Sequence, residues 1–435
     1  MELVNTGSEL LLGRTLNTHA QWLARQLADR GFAVARQTSV ADTSAAIAAA
    51  VRESLSRANL VITTGGLGPT SDDLTRQTIA ETLGKKLHAD ATIAAHIKNW
   101  FESRNRPVPA STRAETFVPE GALVLPNANG TAPGLAIEIG DRNFELGAGG
   151  ANSASAISHL PSPKWLIMLP GPPRELRPMF TASVLPLLNR IFSGRELFAC
   201  LTLRTTGLGE AILAERVEQK LGNIVGLEIG YCAHMGQVDI RLAARGAGRE
   251  AILRKAEAIV RAEMGETIFG VEDETLESVA VRLLTERRQT LALAESCTGG
   301  FIANKITNVP GASAVLLAGL VTYANAAKEK FLGVSAETLA AHGAVSEAVA
   351  REMAEGARRA TGADFALAVT GIAGPSGGTA DKPVGTVFVA LATAGGTRAE
   401  RRLNRYDRET FKELTSRQAL EMLRRAVLEI NSPQA

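Results

Sequence analysis

Three times in this chain of 435 residues an apolar run ends in a turn rich in glycine, serine or proline, and a helical pattern starts at once. Leu60–Thr64 is β-branched and empties into Gly65-Gly66-Leu67-Gly68. Trp165–Leu169 stops at Pro170-Gly171-Pro172-Pro173, where proline bars a central strand from continuing and a helix is predicted from Arg174. Thr290–Ala294 runs into Glu295-Ser296-Cys297-Thr298-Gly299-Gly300, with a helix predicted over Phe301–Thr307. Buried strand, small-residue turn and helix in succession define an α/β chain. Its length exceeds one ordinary domain, so several packed units are expected.

The pattern divides at 1–175, 176–270 and 271–435. In the first part, Thr18–Asp29 places apolar residues at helical spacing. The middle part opens with a linker helix. Strands at Leu201–Thr205 and Val238–Ala243, with helices at Gly209–Leu221 and Arg249–Met264, then predict a small βααβ-like or βαβ-like unit. The last part begins with an amphipathic helix over Leu276–Arg287, carries later strands at Phe365–Val369 and Thr386–Ala392, and closes with a helix over Arg408–Ile430. Ala148–Pro163 is rich in Ala, Ser, Gly and Pro and is read as a mobile surface loop. No fixed-period repeat is visible.

Composition narrows the function. Lys+Arg 47 against Asp+Glu 45 gives no overall field to hold a polyanion, so there is no strong nucleic-acid signal. Cys200, Cys232 and Cys297 are too few and too widely spaced for a disulfide framework or a zinc site. No export signal is read near Met1, and no stretch approaches the roughly 20 apolar residues that cross a bilayer. A cytoplasmic protein without a membrane partner is expected.

The turn after Thr290–Ala294 exposes Ser296 beside backbone N–H groups that could steady an oxyanion or a phosphate; the alternative is a plain helix cap. A serine nucleophile needs a base. His342 is the only histidine beyond residue 271, and Lys328, 32 positions after Ser296, serves instead if burial lowers its pKa. Lys330 is the surface-like control. Cys297 competes as nucleophile if the helix start stabilises its thiolate, against the commoner role of a buried thiol. Glu295 either orients a ligand or serves as a cap or ion-pair partner. A second glycine-rich turn, Thr370-Gly371-Ile372-Ala373-Gly374-Pro375, follows another apolar run, so the two turns share a cleft at their strand ends. In the first part, the glycines of Gly65-Gly66-Leu67-Gly68-Pro69-Thr70 would let a phosphate approach the backbone. Asp72 and Asp73 either bind a hard cation or cap the helix predicted near Leu74.

Four segments in order, Ala294–Gly300, Val321–Lys328, His342–Glu347 and Thr370–Val387, resemble the C-terminal domain of the CinA (competence/damage-inducible protein A) family, which is similar to stand-alone nicotinamide mononucleotide deamidases. The resemblance implies a metal-free Ser-Lys amidohydrolase that converts nicotinamide mononucleotide to nicotinic acid mononucleotide and ammonia. It makes Ser296 the nucleophile and Lys328 the base, with Tyr323 and Ser313 assisting the dyad or oxyanion. Thr370, Gly371 and Arg408 are the implied substrate contacts, and the backbone at Gly299 and Gly300 is the expected oxyanion site.

Gly7–Gly13, Asp42, Thr63–Asp73, Asn129–Gly134 and Leu169–Pro173 resemble the molybdopterin-binding-like N-terminal domain of the same family. That three-layer α/β domain is associated with metal-dependent ADP-ribose pyrophosphatase activity, giving AMP and ribose 5-phosphate. Asp42 and Asp73, with Asp72 and Glu9 as further candidates, would hold Mg²⁺, Mn²⁺ or Co²⁺. Gly65, Gly66, Gly68, Thr70, Gly130 and Thr131 would line the substrate. The middle part resembles the family's KH-like α/β unit but lacks the GXXG loop that clamps nucleic-acid backbone, so a spacer or homodimer-forming role is expected. The rival readings are a competence or DNA-repair accessory that acts by binding, and a molybdopterin-pathway enzyme.

Overall fold

The computed structural model describes residues 1–140, 164–193 and 197–429, and the loop read at Ala148–Pro163 lies outside the described residues. The chain forms two compact units, Met1–Phe198 and Ala199–Ala435.

The first unit is built on a six-stranded sheet in the order Arg36–Val40, Glu2–Thr6, Leu60–Thr64, Lys164–Leu169, Gly134–Ile139, Leu123–Leu125. The first four strands are parallel and the last two run antiparallel. Alternate residues serve opposite faces: Leu3, Ile62 and Ile167 pack with Leu23 and Leu27, while Val4, Val61 and Leu166 pack with Val51, Leu55 and Ile97. Helices on both faces make three layers. After Pro172 the chain is helical over Pro173–Met179, widens by one looser turn at Phe180–Val184 and continues to Ile191. Leu176, Phe180, Val184 and Leu188 lie in the core of this first unit. The helix expected to open the middle part therefore belongs to the N-terminal fold.

The second unit carries two sheets. Its smaller sheet has the order Leu227–His234, Gln237–Arg245, Phe198–Thr206, Ile268–Val271. The helices Glu210–Leu221 and Arg249–Met264 share one core with it, through Leu213, Val217, Val260 and Ile240. In chain order this is βαββαβ, larger than the predicted unit. The larger sheet has the order Leu316–Val321, Leu291–Glu295, Phe365–Gly371, Thr386–Thr393, Gly396–Leu403. The first three strands are parallel and the others antiparallel.

Three strands that hydropathy did not reveal, Leu227–His234, Leu316–Val321 and Gly396–Leu403, are all at sheet edges. An edge strand is paired on one side and faces solvent on the other, so it needs no continuous apolar run; this accounts for Leu227–His234 and Gly396–Leu403, whereas Leu316–Val321 is apolar throughout. Gly396–Leu403 reads Gly-Thr-Arg-Ala-Glu-Arg-Arg-Leu and is largely exposed.

The larger sheet sorts its faces by size. Ala292, Ala294, Ala366, Ala368, Ala390 and Ala392 meet the helix Glu347–Thr361 through Ala350, Met353, Ala354 and Ala357. Leu291, Leu293, Leu367, Val389 and Leu391 meet the helices Leu276–Arg287 and Arg408–Glu429 on the other face. Behind the alanine-lined face, Gly356 lets the helix Asn325–Leu332 approach. A Cβ at Gly356 would lie 1.8 Å from the Leu332 carbonyl oxygen.

Gly356→Ala should therefore destabilise the second unit by about 1–3 kcal/mol through overpacking, although alanine has the higher helix propensity. Thermal denaturation checks this; an unchanged or raised midpoint would refute the close contact.

Candidate active site

Ser296 follows the strand Leu291–Glu295, and its N–H donates to the Val369 carbonyl at 3.0 Å, which pins the turn to the neighbouring strand. Lys328, one turn into Asn325–Leu332, is 1% exposed. Its Nζ lies 3.1 Å from Ser296 Oγ, 2.8 Å from the Thr322 carbonyl oxygen and 3.3 Å from that of Tyr323. Burial pulls the Lys328 amine below the ordinary lysine range. Among the described residues no carboxylate pairs with it. A neutral amine has two hydrogens and one lone pair. The two carbonyls can only accept, so they take the hydrogens and leave the lone pair for the Ser296 hydroxyl.

Glu295, 1% exposed, turns away from the lysine. Its carboxylate accepts from the N–H groups of Gly300 at 3.0 Å, Ile302 at 3.1 Å and Ala303 at 2.8 Å. It is a helix cap. The Gly299 N–H donates to the Ser296 carbonyl at 3.1 Å. The amides of Gly299 and Gly300 are thus engaged, which corrects their expected role as oxyanion donors. The N–H groups of Cys297 and Thr298 have no oxygen acceptor among the described residues and follow Ser296 directly. The Cys297 thiol is pushed up to about 12 by burial, so it carries no thiolate at neutral pH. His342 ends the exposed helix Ala336–His342 and makes no side-chain bond to Ser296.

Tyr323 is 61% exposed, and its phenol oxygen accepts from Arg408 Nη2 at 2.7 Å. Arg408 Nη1 donates to the Gly374 carbonyl at 3.0 Å. Together they bring the first residue of the last helix and the second glycine-rich turn to the dyad. Thr370 is buried with its hydroxyl donating to the Ala344 carbonyl at 2.7 Å, so it anchors the turn after His342. Gly371 is needed for packing, since a Cβ there would lie 2.8 Å from the Thr386 carbonyl oxygen. Ser313 is exposed in the short turn Ala312–Ala314 and has no hydrogen bond to Ser296 or Lys328. The Thr322 and Tyr323 carbonyls escaped sequence reading because backbone acceptors carry no residue signature.

In the first unit, the C-terminal ends of four parallel strands deliver the candidate loops to one edge, where α/β folds commonly bind ligands. Gly65 and Gly66 have φ of +93° and +66°, and a Cβ on Gly66 would strike Thr75 Oγ1 at 2.1 Å. Asp42 accepts from the Ser8 N–H at 2.7 Å, with Glu9 exposed beside it. Asp72 and Asp73 fold back on Thr70: its hydroxyl reaches Asp72 Oδ1 and Asp73 Oδ2 at 2.5 Å, and its N–H donates to Asp73 Oδ2 at 2.9 Å. They do not cap the helix Thr75–Thr82, whose start has no side-chain cap. No group of three or more His, Cys, Asp or Glu among the described residues is arranged to hold a metal. The four acids are therefore not one preassembled ligand set.

Behind the loops lies a polar cluster of which the sequence reading named only Gly130 and Thr131. Arg76 donates to the carbonyls of Leu67 at 2.6 Å and Ala114 at 2.7 Å. Thr131 donates to Glu115 at 3.1 Å, and Asn127 to Glu175 at 2.8 Å. Gly130 is held by His96 Nε2 at its carbonyl, 2.9 Å away, and a Cβ on it would collide with Glu175. Burial pushes the Glu115 carboxyl up to about 7. These side chains sit far apart in sequence, which hid them.

Comparison with known proteins finds three family matches. Residues 273–427 match the CinA C-terminal domain, residues 2–190 a probable molybdopterin binding domain, and residues 201–270 the damage-inducible protein CinA KH domain. A CinA-like protein of Akkermansia muciniphila is 45% identical over 421 residues, covering 97% of this chain and 95% of the relative. A CinA-like protein of Kosmotoga olearia is 40% identical over 98% of both chains. A competence/damage inducible protein structure from Agrobacterium tumefaciens is 45% identical, spans 35% of this chain and 95% of its own, and has a TM-score of 0.33. Among the described residues no helix is long and apolar enough to cross a membrane.

The raised Glu115 carboxyl has a sign that can be read. Its stabilising neutral form is fully present below the ordinary carboxyl range and is lost as pH rises through about 7. Glu115→Gln should match the parent's thermal midpoint at about pH 3.5 and exceed it at pH 8, by up to about 3 kcal/mol of unfolding free energy. A parent that gains stability on the variant as pH rises would contradict the assignment.

Proposed function

The chain belongs to the CinA family, and on that premise we propose that it hydrolyses the carboxamide of nicotinamide mononucleotide, giving nicotinic acid mononucleotide and ammonia. The observation that carries this reading is the buried amine of Lys328 set 3.1 Å from Ser296 Oγ. Neutral Lys328 takes the hydroxyl proton as Ser296 Oγ attacks the amide carbon. The N–H groups of Cys297 and Thr298 receive the developing oxyanion. The carbon–nitrogen bond breaks, and the amine leaves as ammonia with the proton returned by Lys328. Lys328 then deprotonates a water that attacks the acyl ester, the carboxylate departs, and Ser296 regains its proton. Arg408, with Tyr323 beside it, contacts the substrate at the mouth.

The first unit supports a second proposal, ADP-ribose hydrolysis to AMP and ribose 5-phosphate with Mg²⁺, Mn²⁺ or Co²⁺. Carboxylate oxygens suit such hard cations, and Mg²⁺ commonly binds through one or two carboxylates plus substrate phosphate, so separate placement of Asp42 and Asp73 fits a metal that arrives with its diphosphate. The bound cation would neutralise diphosphate charge and polarise water. The glycine turn at Gly65 and Gly66, with Thr70, would place the phosphates, and Thr131 the remainder. A cytoplasmic homodimer completes this reading, and sedimentation velocity tests the oligomer.

Ammonia release from nicotinamide mononucleotide should fall by about a thousandfold or more in Ser296→Ala and Lys328→Met, while Cys297→Ala keeps most of the rate. Full activity in Ser296→Ala would end the mechanism. The rate should decline towards acid as Lys328 takes up a proton, with a midpoint below the ordinary lysine range. For the first unit, AMP should appear from ADP-ribose only with divalent metal and should diminish in Asp73→Asn; no AMP with any of the three metals counts against that activity. A pterin retained on purification would favour the molybdopterin reading instead.

A further inference from the structure

The glycine turn and the loop that carries Gly130 and Thr131 lie far apart in sequence, and the first unit joins them from behind. Arg76, the second residue of the helix Thr75–Thr82, is 4% exposed. Its Nη2 donates to the Leu67 carbonyl inside the glycine turn at 2.6 Å, and its Nη1 to the Ala114 carbonyl at 2.7 Å. Glu115 follows in the short helix Ala110–Thr116, is 1% exposed, and accepts from the Thr131 hydroxyl at 3.1 Å. A path of bonded groups thus runs from Leu67 through Arg76, Ala114 and Glu115 to Thr131.

The second loop is held on its other flank as well. Asn127 Nδ2 donates to Glu175 Oε2 and to the Ala132 carbonyl, both at 2.8 Å, and His96 Nε2 donates to the Gly130 carbonyl at 2.9 Å. Among the described residues, Arg76 bonds to no group of this loop and Glu115 to none of the glycine turn, so each side chain serves one end of the path. Neither loop can shift alone without leaving a buried polar group unpaired.

The cluster is also incompletely satisfied for its depth. Arg76 Nε and Glu115 Oε2 are buried without a hydrogen-bond partner among the described residues. The charges of the two side chains act on each other, and that of Arg76 acts on Asp73. Buried groups left unpaired cost stability, and departures of this kind collect where a site demands them.

We propose that Arg76 and Glu115 are positioning residues of the first unit's site, a buried clamp that sets the spacing of the glycine turn and the Asn127–Pro133 loop so that both meet one diphosphate. This rests on the ADP-ribose reading. Breaking the clamp at one end should loosen the loop at the other. In the full chain without ligand, Thr131→Val, which removes the hydroxyl bonded to Glu115, should speed hydrogen exchange at residues 65–70. Arg76→Met should speed it at residues 127–133. Thr131 is partly exposed, so its variant keeps the measurement available should Arg76→Met fail to fold. Acceleration confined to the loop whose own bond was removed overturns the inference, and so does general loosening that takes in the strand Leu60–Thr64. With ADP-ribose and Mg²⁺, Mn²⁺ or Co²⁺, Glu115→Ala should raise KM about five- to tenfold with kcat within about twofold. Glu115→Gln still accepts from Thr131 and should keep the parent KM. A fall in kcat at unchanged KM in Glu115→Ala, the mark of fewer folded molecules, overturns the positioning role. A parent that makes no AMP while its variants still show exchange changes across the two loops sinks the ADP-ribose reading alone.

Discussion

A lysine amine shut away from water and, among the described residues, from every carboxylate is the condition on which the second unit's chemistry depends. A charged ammonium among three neutral oxygens in an apolar interior is costly, and the neutral amine removes that cost. The neighbour that could have undone this is Glu295, next to Ser296 in sequence and as buried as the lysine. Its negative charge is absorbed by three amide hydrogens at the start of the helix Phe301–Thr307. Directed at Lys328, the same carboxylate would have kept the amine protonated. One acid thus does two things: it fixes the turn that presents Ser296, and it leaves the base uncharged.

The first unit follows a different logic. Its four acids are dispersed over three segments, and the three aspartates already hold backbone or hydroxyl groups, as Asp42 holds Ser8 and Asp73 holds Thr70. Nothing there resembles the ready-made pair of Ser296 and Lys328. Such a site fits a ligand that brings its own charge and organises the acids on arrival, whereas the amidase site is preorganised by burial.

Much of this was legible in sequence for a physical reason. Strands buried on both faces must be apolar throughout, so Leu60–Thr64, Trp165–Leu169 and Phe365–Val369 stand out, and the turns that follow them must be small to reverse the chain. Ser296 could be singled out because a hydroxyl in such a turn is chemically marked, and Lys328 was reached as the alternative base to His342 and through the resemblance to the family. The edge strands Leu227–His234 and Gly396–Leu403 were hidden because solvent relieves them of any apolar demand. Backbone carbonyls at Thr322 and Tyr323, and the side chains of Glu115 and Arg76, were hidden because their meaning comes from neighbours supplied by the fold. The opposite error arose at Gly299 and Gly300, where glycines suggested open amides that the Ser296 carbonyl and the Glu295 carboxylate had already taken.

The alternation of alanine and leucine along the central strands has its own consequence for how this domain can drift in sequence. On the leucine side, side chains are large and mutually adjustable, and exchange among aliphatic residues of similar bulk is tolerable. On the alanine side there is no slack: the helix Glu347–Thr361 rides close to the sheet and, through Gly356, the lysine-bearing helix rides close to it. A methyl group gained at Gly356 would meet the Leu332 carbonyl at the end of the helix that carries Lys328. Residues that never meet a ligand are consequently held to small size by the geometry of a proton transfer, and the sheet acts as a ruler for the active site.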